Sequence, residues 1–125
     1  MVVPAAIRRE LEQHADVEAP NEACGLIVFR DASAIRYERG RNVAASPYRF
    51  ELDVDPEIWF LEDEGYELAV FHSHPTDSAR PSRTDIANVG LWAGRPYVIL
   101  SRATGELAAW RIVDGRPEPL VLTTE

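Results

Sequence analysis

The architecture of this chain follows from one segment, Leu68-Ala69-Val70-Phe71-His72-Ser73-His74-Pro75. Apolar residues lead directly into two histidines, and a short continuous apolar run is typical of a strand that is buried on both faces. Because side chains two residues apart on a strand point to the same face, His72 and His74 project together where the strand ends. Two imidazoles placed in this way can both bind one zinc ion at ~2.0–2.1 Å, although neighbouring histidines also occur without a metal.

A candidate third ligand, Asp85, lies eleven residues after His74 and just inside a helix that begins at Ser82 or Thr84. Two histidines and one carboxylate that leave a fourth position open form a catalytic zinc set, which lowers the pKa of a bound water to about 7. Ser82-x-x-Asp85 also matches a capping box, in which the two residues only start the helix. Both interpretations are open at this point.

Hydrophobic periodicity and turn residues predict the remaining elements. Before the histidines we expect a helix over residues 4–17, a central strand over 24–29, a more exposed strand over 34–41, a third strand over 48–54 and a helix over 55–65. After them we expect a helix ending near residue 92, strands over 97–100 and 106–113, and an edge strand over 120–122, since Pro117 and Pro119 disfavour an earlier start.

Alternation along the predicted strands indicates which side chains share a face. Ile35 and Tyr37 are expected on one face of their strand, and Phe50 and Leu52 on one face of theirs. The elements together predict one α+β domain over residues 1–125, with helices packed on a mixed β-sheet.

Composition limits the class of protein and of partner. The apolar fraction of 46% and the charged fraction of 27% are those of a globular protein, and the net charge of −8 argues against nucleic acid as a partner. Cys24 is the only cysteine, so neither an internal disulfide nor a thiolate metal cluster is expected. No signal-peptide core or membrane span is evident, and we predict a cytoplasmic protein. We expect Cys24 to lie in the core and His14 to be partly exposed on the first helix.

The spacing of these residues resembles the JAMM motif of the MPN+ zinc metalloproteases. That family pattern is an upstream Glu, then H-[ST]-H, seven residues and S-x-x-D, and this sequence follows it with Glu22, His72-Ser73-His74 and Ser82-x-x-Asp85. The resemblance covers nearly the whole chain and implies a single MPN domain, of the JAB/cytidine-deaminase-like fold.

The resemblance also implies a role for each of these residues. His72, His74 and Asp85 would hold Zn²⁺. Glu22 would take a proton from the attacking water and pass it to the leaving amine, whereas without the family it would be interpreted as a surface acid in a turn. Ser82 would stabilise the oxyanion of the tetrahedral intermediate.

Further matches resemble the compact prokaryotic branch of the family, which includes a mycobacterial peptidase that releases cysteine from a sulfur-carrier protein. These matches are Asn21-Glu22-Ala23-Cys24-Gly25, Arg41-Asn42-Val43, Pro81-Ser82-Arg83-Thr84-Asp85 and Arg111-Ile112-Val113-Asp114-Gly115. The branch implies cleavage of a peptide or isopeptide-like bond after the Gly-Gly tail of a small ubiquitin-like sulfur-carrier protein. Arg80 or Arg83 could then meet the carboxylate of the released residue.

Three other functions are compatible with parts of the pattern. A nucleoside deaminase would need H-x-E and P-C-x-x-C, which a chain with one cysteine does not supply. A non-catalytic or differently specific MPN-domain binding protein with a zinc site is the second alternative, although such relatives are expected to lose ligands that this chain keeps. A closed structural zinc site would need a fourth protein ligand, and none is evident near the motif.

Overall fold

The computed structural model describes residues 1–125 and divides them into ten strands, three α-helices and two 3₁₀ turns. The strands are β1 (Val2–Val3), β2 (Cys24–Arg30), β3 (Ser33–Arg39), β4 (Arg41–Asn42), β5 (Leu52–Asp53), β6 (Glu67–His74), β7 (Pro96–Ser101), β8 (Leu107–Val113), β9 (Arg116–Leu120) and β10 (Thr123–Thr124). The helices are α1 (Ala5–Glu18), α2 (Phe60–Asp63) and α3 (Arg83–Ala87), and the 3₁₀ turns are Pro56–Trp59 and Gly90–Trp92.

Eight of the strands form one mixed sheet in the order β10-β1-β3-β2-β6-β7-β8-β9, while β4 and β5 pair separately. The strand that ends in the two histidines, β6, lies between antiparallel β2 and parallel β7. The α+β class and the mixed sheet with helices packed on it are therefore confirmed. None of the helices is both long and apolar enough to cross a bilayer.

Both faces of the central strands are buried, which explains their continuous apolar sequences. One face packs against α1 through Ile27, Phe29, Ala69, Phe71, Val98 and Leu100. The opposite face packs against the two 3₁₀ turns and α3 through Leu26, Val28, Leu68, Val70, Tyr97 and Ile99. Since His72 and His74 continue the alternation of Leu68 and Val70, they project on this second face.

The two predicted helices after residue 54 are shorter than expected. Residues 55–65 form a 3₁₀ turn followed by α2, with Asp55 capping the turn through the Glu57 amide at 3.0 Å. The acidic end of this segment opposes the dipole of a longer helix. The second helix stops at Ala87 and resumes as a 3₁₀ turn at Gly90, whose φ of 49° lies in the left-handed region.

The strand predictions for residues 34–41 and 48–54 are wrong in part. Ile35 is 50% exposed, because a bulge opposite residues 28 and 29 shifts the register and turns Ala34 inward together with Tyr37. Only Leu52–Asp53 of residues 48–54 is a strand, although Phe50 and Leu52 both pack on the core as predicted.

The predicted edge strand over residues 120–122 is instead β9, which starts earlier than the prolines suggest and ends at Leu120. It includes Pro117 and Pro119, which pair with Ile112 and Trp110 of β8. Prolines two residues apart remove donors from one side of a strand only, and β9 lies at the edge of the sheet, where one side has no partner.

His14 is buried, which contradicts the prediction of a partly exposed side chain. It is 2% exposed and joins Ile7, Leu11 and Ala15 in the apolar stripe of α1. Its Nδ1 lies 2.7 Å from the hydroxyl of Tyr37 on β3. Burial lowers the pKa of His14, and Arg39 lowers it further. The predicted core position of Cys24 is confirmed, and burial raises the pKa of its thiol to about 12.

The buried imidazole predicts a pH dependence of stability. The folded state holds the pKa of His14 below the unfolded value of ~6.5, so the unfolded state takes up a proton first and stability falls as the pH drops below that value. In His14→Gln this part of the pH dependence should disappear, while about 1–2 kcal/mol is lost near pH ~8 through the broken hydrogen bond.

Denaturant unfolding between pH ~8 and pH ~5 measures both effects. Tyr37→Phe is the control, because it removes the hydroxyl partner and keeps the imidazole that titrates. A difference between wild type and His14→Gln that stays constant with pH would contradict this account.

Candidate metal centre

Three side chains from two elements converge at the carboxyl end of β6. The Nε2 atoms of His72 and His74 are 3.0 Å apart, and Asp85 Oδ2 lies 3.2 Å from the first and 3.0 Å from the second. All three residues are buried. Two ligands at ~2.0–2.1 Å on tetrahedral axes would lie ~3.3–3.4 Å apart, so the triangle is close to the size that one zinc ion requires.

Hydrogen bonds fix the orientation of two of the three candidate ligands, His74 and Asp85. His74 Nδ1 lies 2.7 Å from the carbonyl oxygen of Ser78, which can only accept, so Nδ1 carries the proton and the Nε2 of neutral His74 has a free lone pair. Asp85 forms a capping box with Ser82, whose Oγ accepts from the Asp85 amide at 3.0 Å while Asp85 Oδ2 accepts from the Ser82 amide at 2.9 Å.

The capping box and the candidate metal ligand are thus one arrangement. The helix start holds the Asp85 carboxylate at the point where β6 delivers the two imidazoles. The loop between these elements is attached to the sheet by Ser101, whose hydroxyl donates to the Asp77 carbonyl at 2.6 Å, and by Trp110, whose indole donates to the Ala79 carbonyl at 2.9 Å.

Burial and mutual contact shift the pKa of each of the three groups. Burial would raise the pKa of Asp85, but His72 and His74 outweigh it and hold the pKa well below its usual range. Burial lowers the pKa of His72. For His74, burial is outweighed by hydrogen bonds with Asp85 and the Ser78 carbonyl, which raise the pKa.

Aromatic rings enclose His72. The Phe50 ring stacks on the imidazole at 4.5 Å between centroids and 23° between planes, and Tyr97 meets it edge-on at 5.1 Å. The Nδ1 atom of His72 is buried and has no hydrogen-bond partner. Ring packing therefore orients this imidazole, whereas a hydrogen bond orients His74.

Glu22 lies beside this group, two residues before β2 begins at Cys24. It is 2% exposed, and its Oε1 is 3.9 Å from His72 Nε2. Burial, together with the negative charge of Asp85, raises the pKa of Glu22 to about 8. The turn residue considered from sequence is thus a buried carboxyl group that faces the candidate ligands.

Ser73 connects Glu22 to the histidine strand. It points to the opposite face from His72 and His74, where its Oγ accepts from the Ala23 amide at 2.8 Å and its own amide donates to the Ala23 carbonyl at 3.0 Å. The hydroxyl between the two histidines therefore determines how close the residue after Glu22 lies to β6.

These residues fit a divalent metal ion. Glu22 Oε1 is a buried polar atom without a partner in the protein, and it is aimed at the group formed by His72, His74 and Asp85. Buried carboxylates and two adjacent imidazoles need a compensating charge, and two nitrogens with one oxygen are a donor set that suits zinc. A cation there would also offset the burial that raises the pKa of Glu22.

An open cavity of about 560 Å³ adjoins the centre, with Asp85 in its wall. Its lining includes residues 49–54 with Trp59, and residues 88–92. The rings of Trp59 and Trp92, which both line the cavity, stack on each other at 5.2 Å between centroids, and Tyr97 also belongs to the lining.

The two arginines considered as carboxylate-binding groups differ in their surroundings. The Arg80 guanidinium lies 5.1 Å from the centroid of the Trp110 ring. Arg83 is the first residue of α3, is exposed and makes no ion pair in the structure. Both lie within five residues of Asp85.

Several residues around the centre were not recognised from the sequence. Phe50 and Tyr97 contact His72, and Asn42 bonds to the Glu22 backbone. In the sequence, Phe50 and Tyr97 look like ordinary core residues of predicted strands. Ser73 could have been identified, because the residue between two same-face histidines must point to the other side of the strand.

Comparison with known proteins finds relatives and solved structures that match most of this chain. A family model described as prokaryotic homologs of the JAB domain matches residues 4–113. The chain is 32% identical to the CysO-cysteine peptidase of Mycobacterium tuberculosis, over 92% of this chain and 84% of that protein. It is 34% identical to a probable TtuB-protein conjugate cleaving protease of Thermus thermophilus, over 98% of this chain and 82% of the other.

Among solved structures, the solution structure of a protein from Desulfitobacterium hafniense superposes with a TM-score of 0.82 and 26% identity, covering 100% of this chain and 93% of that one. A JAB1/MPN domain protein from Archaeoglobus fulgidus has a TM-score of 0.62 at 16% identity, over 98% and 97% of the two chains. The second likeness concerns the fold only.

The Ser73 hydroxyl predicts a stability effect that does not depend on a metal. Ser73→Ala leaves the buried Ala23 amide without its acceptor and should lower the free energy of unfolding by about 1–3 kcal/mol. Ser73→Thr keeps the hydroxyl and should retain most of the stability. Denaturant unfolding of the metal-free protein measures the difference, and equal losses in both variants would contradict the assigned hydrogen bond.

Proposed function

This chain belongs to the prokaryotic JAB-domain family of JAMM-type metallopeptidases, and on that premise we propose that it hydrolyses the bond after the Gly-Gly tail of a small ubiquitin-like sulfur-carrier protein. The bond is a peptide or isopeptide-like bond, and cysteine is the released residue to test first. The observation that carries the proposal is the convergence of His72, His74 and Asp85 beside the unpartnered carboxyl of Glu22.

We assign Zn²⁺ to the three convergent ligands. His72 and His74 would bind through Nε2 and Asp85 through its carboxylate, which leaves one tetrahedral position for water and substrate. Zinc in such a site supplies Lewis-acid polarisation of the scissile carbonyl and makes water more acidic. All other steps belong to side chains of this chain.

Glu22 is assigned as general base and then general acid. Its Oε1 has no partner in the protein and can accept a proton from the attacking water. The same oxygen then delivers the proton to the leaving amine. Because Glu22 is buried and next to the ligands, proton transfer occurs without competition from bulk water.

Ser82 is assigned to the oxyanion. As cap of α3, its Oγ accepts a hydrogen bond from the Asp85 amide, so the proton of its hydroxyl is free to be donated. That proton can stabilise negative charge on the carbonyl oxygen of the tetrahedral intermediate. The capping role uses the hydroxyl oxygen as an acceptor, and the catalytic role would use the hydroxyl proton as a donor.

The substrate class rests on the relatives and on the cavity. One relative is named for the CysO-cysteine adduct and another for TtuB-protein conjugates. The cavity beside Asp85 is open, and half of the residues that line it are hydrophobic, with aromatic rings among them, which suits an extended peptide tail. We further propose a cytoplasmic location, which the single unpaired cysteine fits.

Metal content and the role of Glu22 can be tested together. The purified protein should hold about one zinc per chain, and His72→Ala should lose it, because two remaining ligands bind far more weakly. Glu22→Gln should keep zinc and lose peptidase activity by roughly 10²-fold or more, since the amide cannot take up a proton. Elemental analysis and a peptidase assay measure the two results, with Glu18→Gln on the surface as a control.

The assignment of Glu22 would be refuted by a Glu22→Gln variant that keeps full activity. Zinc that stays bound in His72→Ala would refute the ligand set. A zinc-containing wild type that cleaves no sulfur-carrier adduct would favour the alternative of a differently specific MPN-domain protein.

The substrate and the arginines can be tested on sulfur-carrier–cysteine adducts. Mass spectrometry should show loss of the cysteine residue and a free Gly-Gly terminus, and a chelator should abolish the change. Arg83→Ala or Arg80→Ala should raise KM for the adduct by roughly 10-fold if its guanidinium binds the released carboxylate. Arg116→Ala on β9 is the matched surface control. Unchanged turnover in both variants would refute this role.

A further inference from the structure

Asn42, at the end of β4, uses the full hydrogen-bonding capacity of its side chain. Its Nδ2 donates to the carbonyl of Glu22 at 3.0 Å and to that of Arg49 at 3.1 Å. Its Oδ1 accepts from the amides of Ala44 at 3.1 Å and Glu51 at 3.0 Å. An amide offers two donors and two acceptor positions, so no other residue type of this size can make the same four bonds.

Three of these partners belong to the loop of residues 43–51. The loop carries few ladder hydrogen bonds, since only residues 41–42 and 52–53 at its ends are paired as strands. The Asn42 side chain supplies hydrogen bonds in place of a strand ladder, because it bonds to the loop near its beginning, at Ala44, and near its end, at Arg49 and Glu51. The conformation of the loop therefore depends on this side chain.

The fourth partner is Glu22 itself. Its carbonyl receives the Asn42 bond, and its amide donates to the Ser46 carbonyl at 2.9 Å. Both backbone groups of Glu22 are thus bonded to the loop or to its anchor, while the residue that follows, Ala23, is bonded to Ser73 on β6. The backbone direction at Glu22, and with it the direction of the carboxyl group, is held between β6 and the loop.

The same loop reaches the other side of the metal centre. Phe50 stacks on His72 at 4.5 Å, and that imidazole has no hydrogen bond at Nδ1 to orient it. Arg49, Phe50 and Glu51 also line the open cavity. One loop therefore contacts a candidate ligand, supports Glu22 and forms a wall of the cavity.

We propose that Asn42 is a positioning residue for Glu22, which it holds in line with the metal centre by tying the Glu22 carbonyl to the cavity wall. The inference rests on the proposed role of Glu22 in proton transfer. Asn42 touches neither the ligands nor the cavity, so it acts through Glu22 and the loop. Loss of the Glu22 link lowers the rate of the chemical step and leaves metal binding intact.

Three variants separate this role from a merely structural one. Asn42→Ala removes all four bonds. Asn42→Asp keeps the two acceptor bonds to Ala44 and Glu51 and removes both donor bonds, to the carbonyls of Glu22 and Arg49. Ser46→Ala is the matched control, because it removes a bond within the loop, from the Tyr48 amide at 3.1 Å, and keeps the Ser46 carbonyl that holds Glu22.

The first measurement is steady-state cleavage of a sulfur-carrier–cysteine adduct, with zinc content determined in parallel. Asn42→Ala and Asn42→Asp should lower kcat by roughly 10–100-fold while KM changes by less than about 3-fold and zinc stays at about one per chain. Ser46→Ala should stay within about 3-fold of wild type in kcat. An Asn42→Asp variant with wild-type kcat, or an equal loss in Ser46→Ala, would overturn the proposal.

The second measurement needs no substrate. Hydrogen exchange of the Glu22 amide in the metal-free protein should be faster by roughly 10-fold or more in Asn42→Ala and close to wild type in Ser46→Ala. Exchange at wild-type rates in Asn42→Ala would refute the link. If wild type cleaves no such adduct, the substrate proposal fails, and this exchange result alone decides on Asn42.

Discussion

Pairing of β2 with β6 is the constraint on which the candidate metal centre depends. The antiparallel register sets Cys24 opposite His72, so Glu22 leaves β2 beside the end of β6, where the two histidines project. A shift by one residue would turn both histidines toward α1 and separate them from Asp85. The Ser73 hydroxyl, bonded to the Ala23 amide, holds the two strand ends together at this point.

Burial then sets the protonation behaviour of the groups that this geometry brings together. Four ionisable groups, His72, His74, Asp85 and Glu22, lie together with almost no contact to solvent. In such surroundings an uncompensated charge is costly, which favours a cation among the ligands and raises the pKa of Glu22. The burial comes from the position of β6, whose two faces are both covered, since a strand with one face in water would leave the same groups solvated.

Much of the fold was predictable because strand and helix patterns are local. The apolar runs that became β2, β6 and β7 and the periodicity of α1 were read correctly, as was the α+β class. Errors occurred where distant contacts override local preference. The bulge in the β2–β3 pair turns the Ile35 side chain to the exposed face. Pro117 and Pro119 fit into β9 because that strand lies at the edge of the sheet. In residues 48–51, where a strand was predicted, the Glu51 amide bonds to the Asn42 side chain instead of a neighbouring strand.

The residue types and intervals of the chain specified the ligand candidates, since H-S-H and S-x-x-D are local patterns with a strand end and a helix start between them. Spacing along the chain could not show that Glu22, fifty residues before His72, points at the same spot. It also could not reveal Phe50, Tyr97 or Asn42, whose roles arise from contacts between segments far apart in sequence. The orientation of Glu22 and the contacts of Phe50, Tyr97 and Asn42 were decided only by the sheet register and by the loop of residues 43–51. Both depend on distances between segments that are far apart in sequence, which local propensity does not specify.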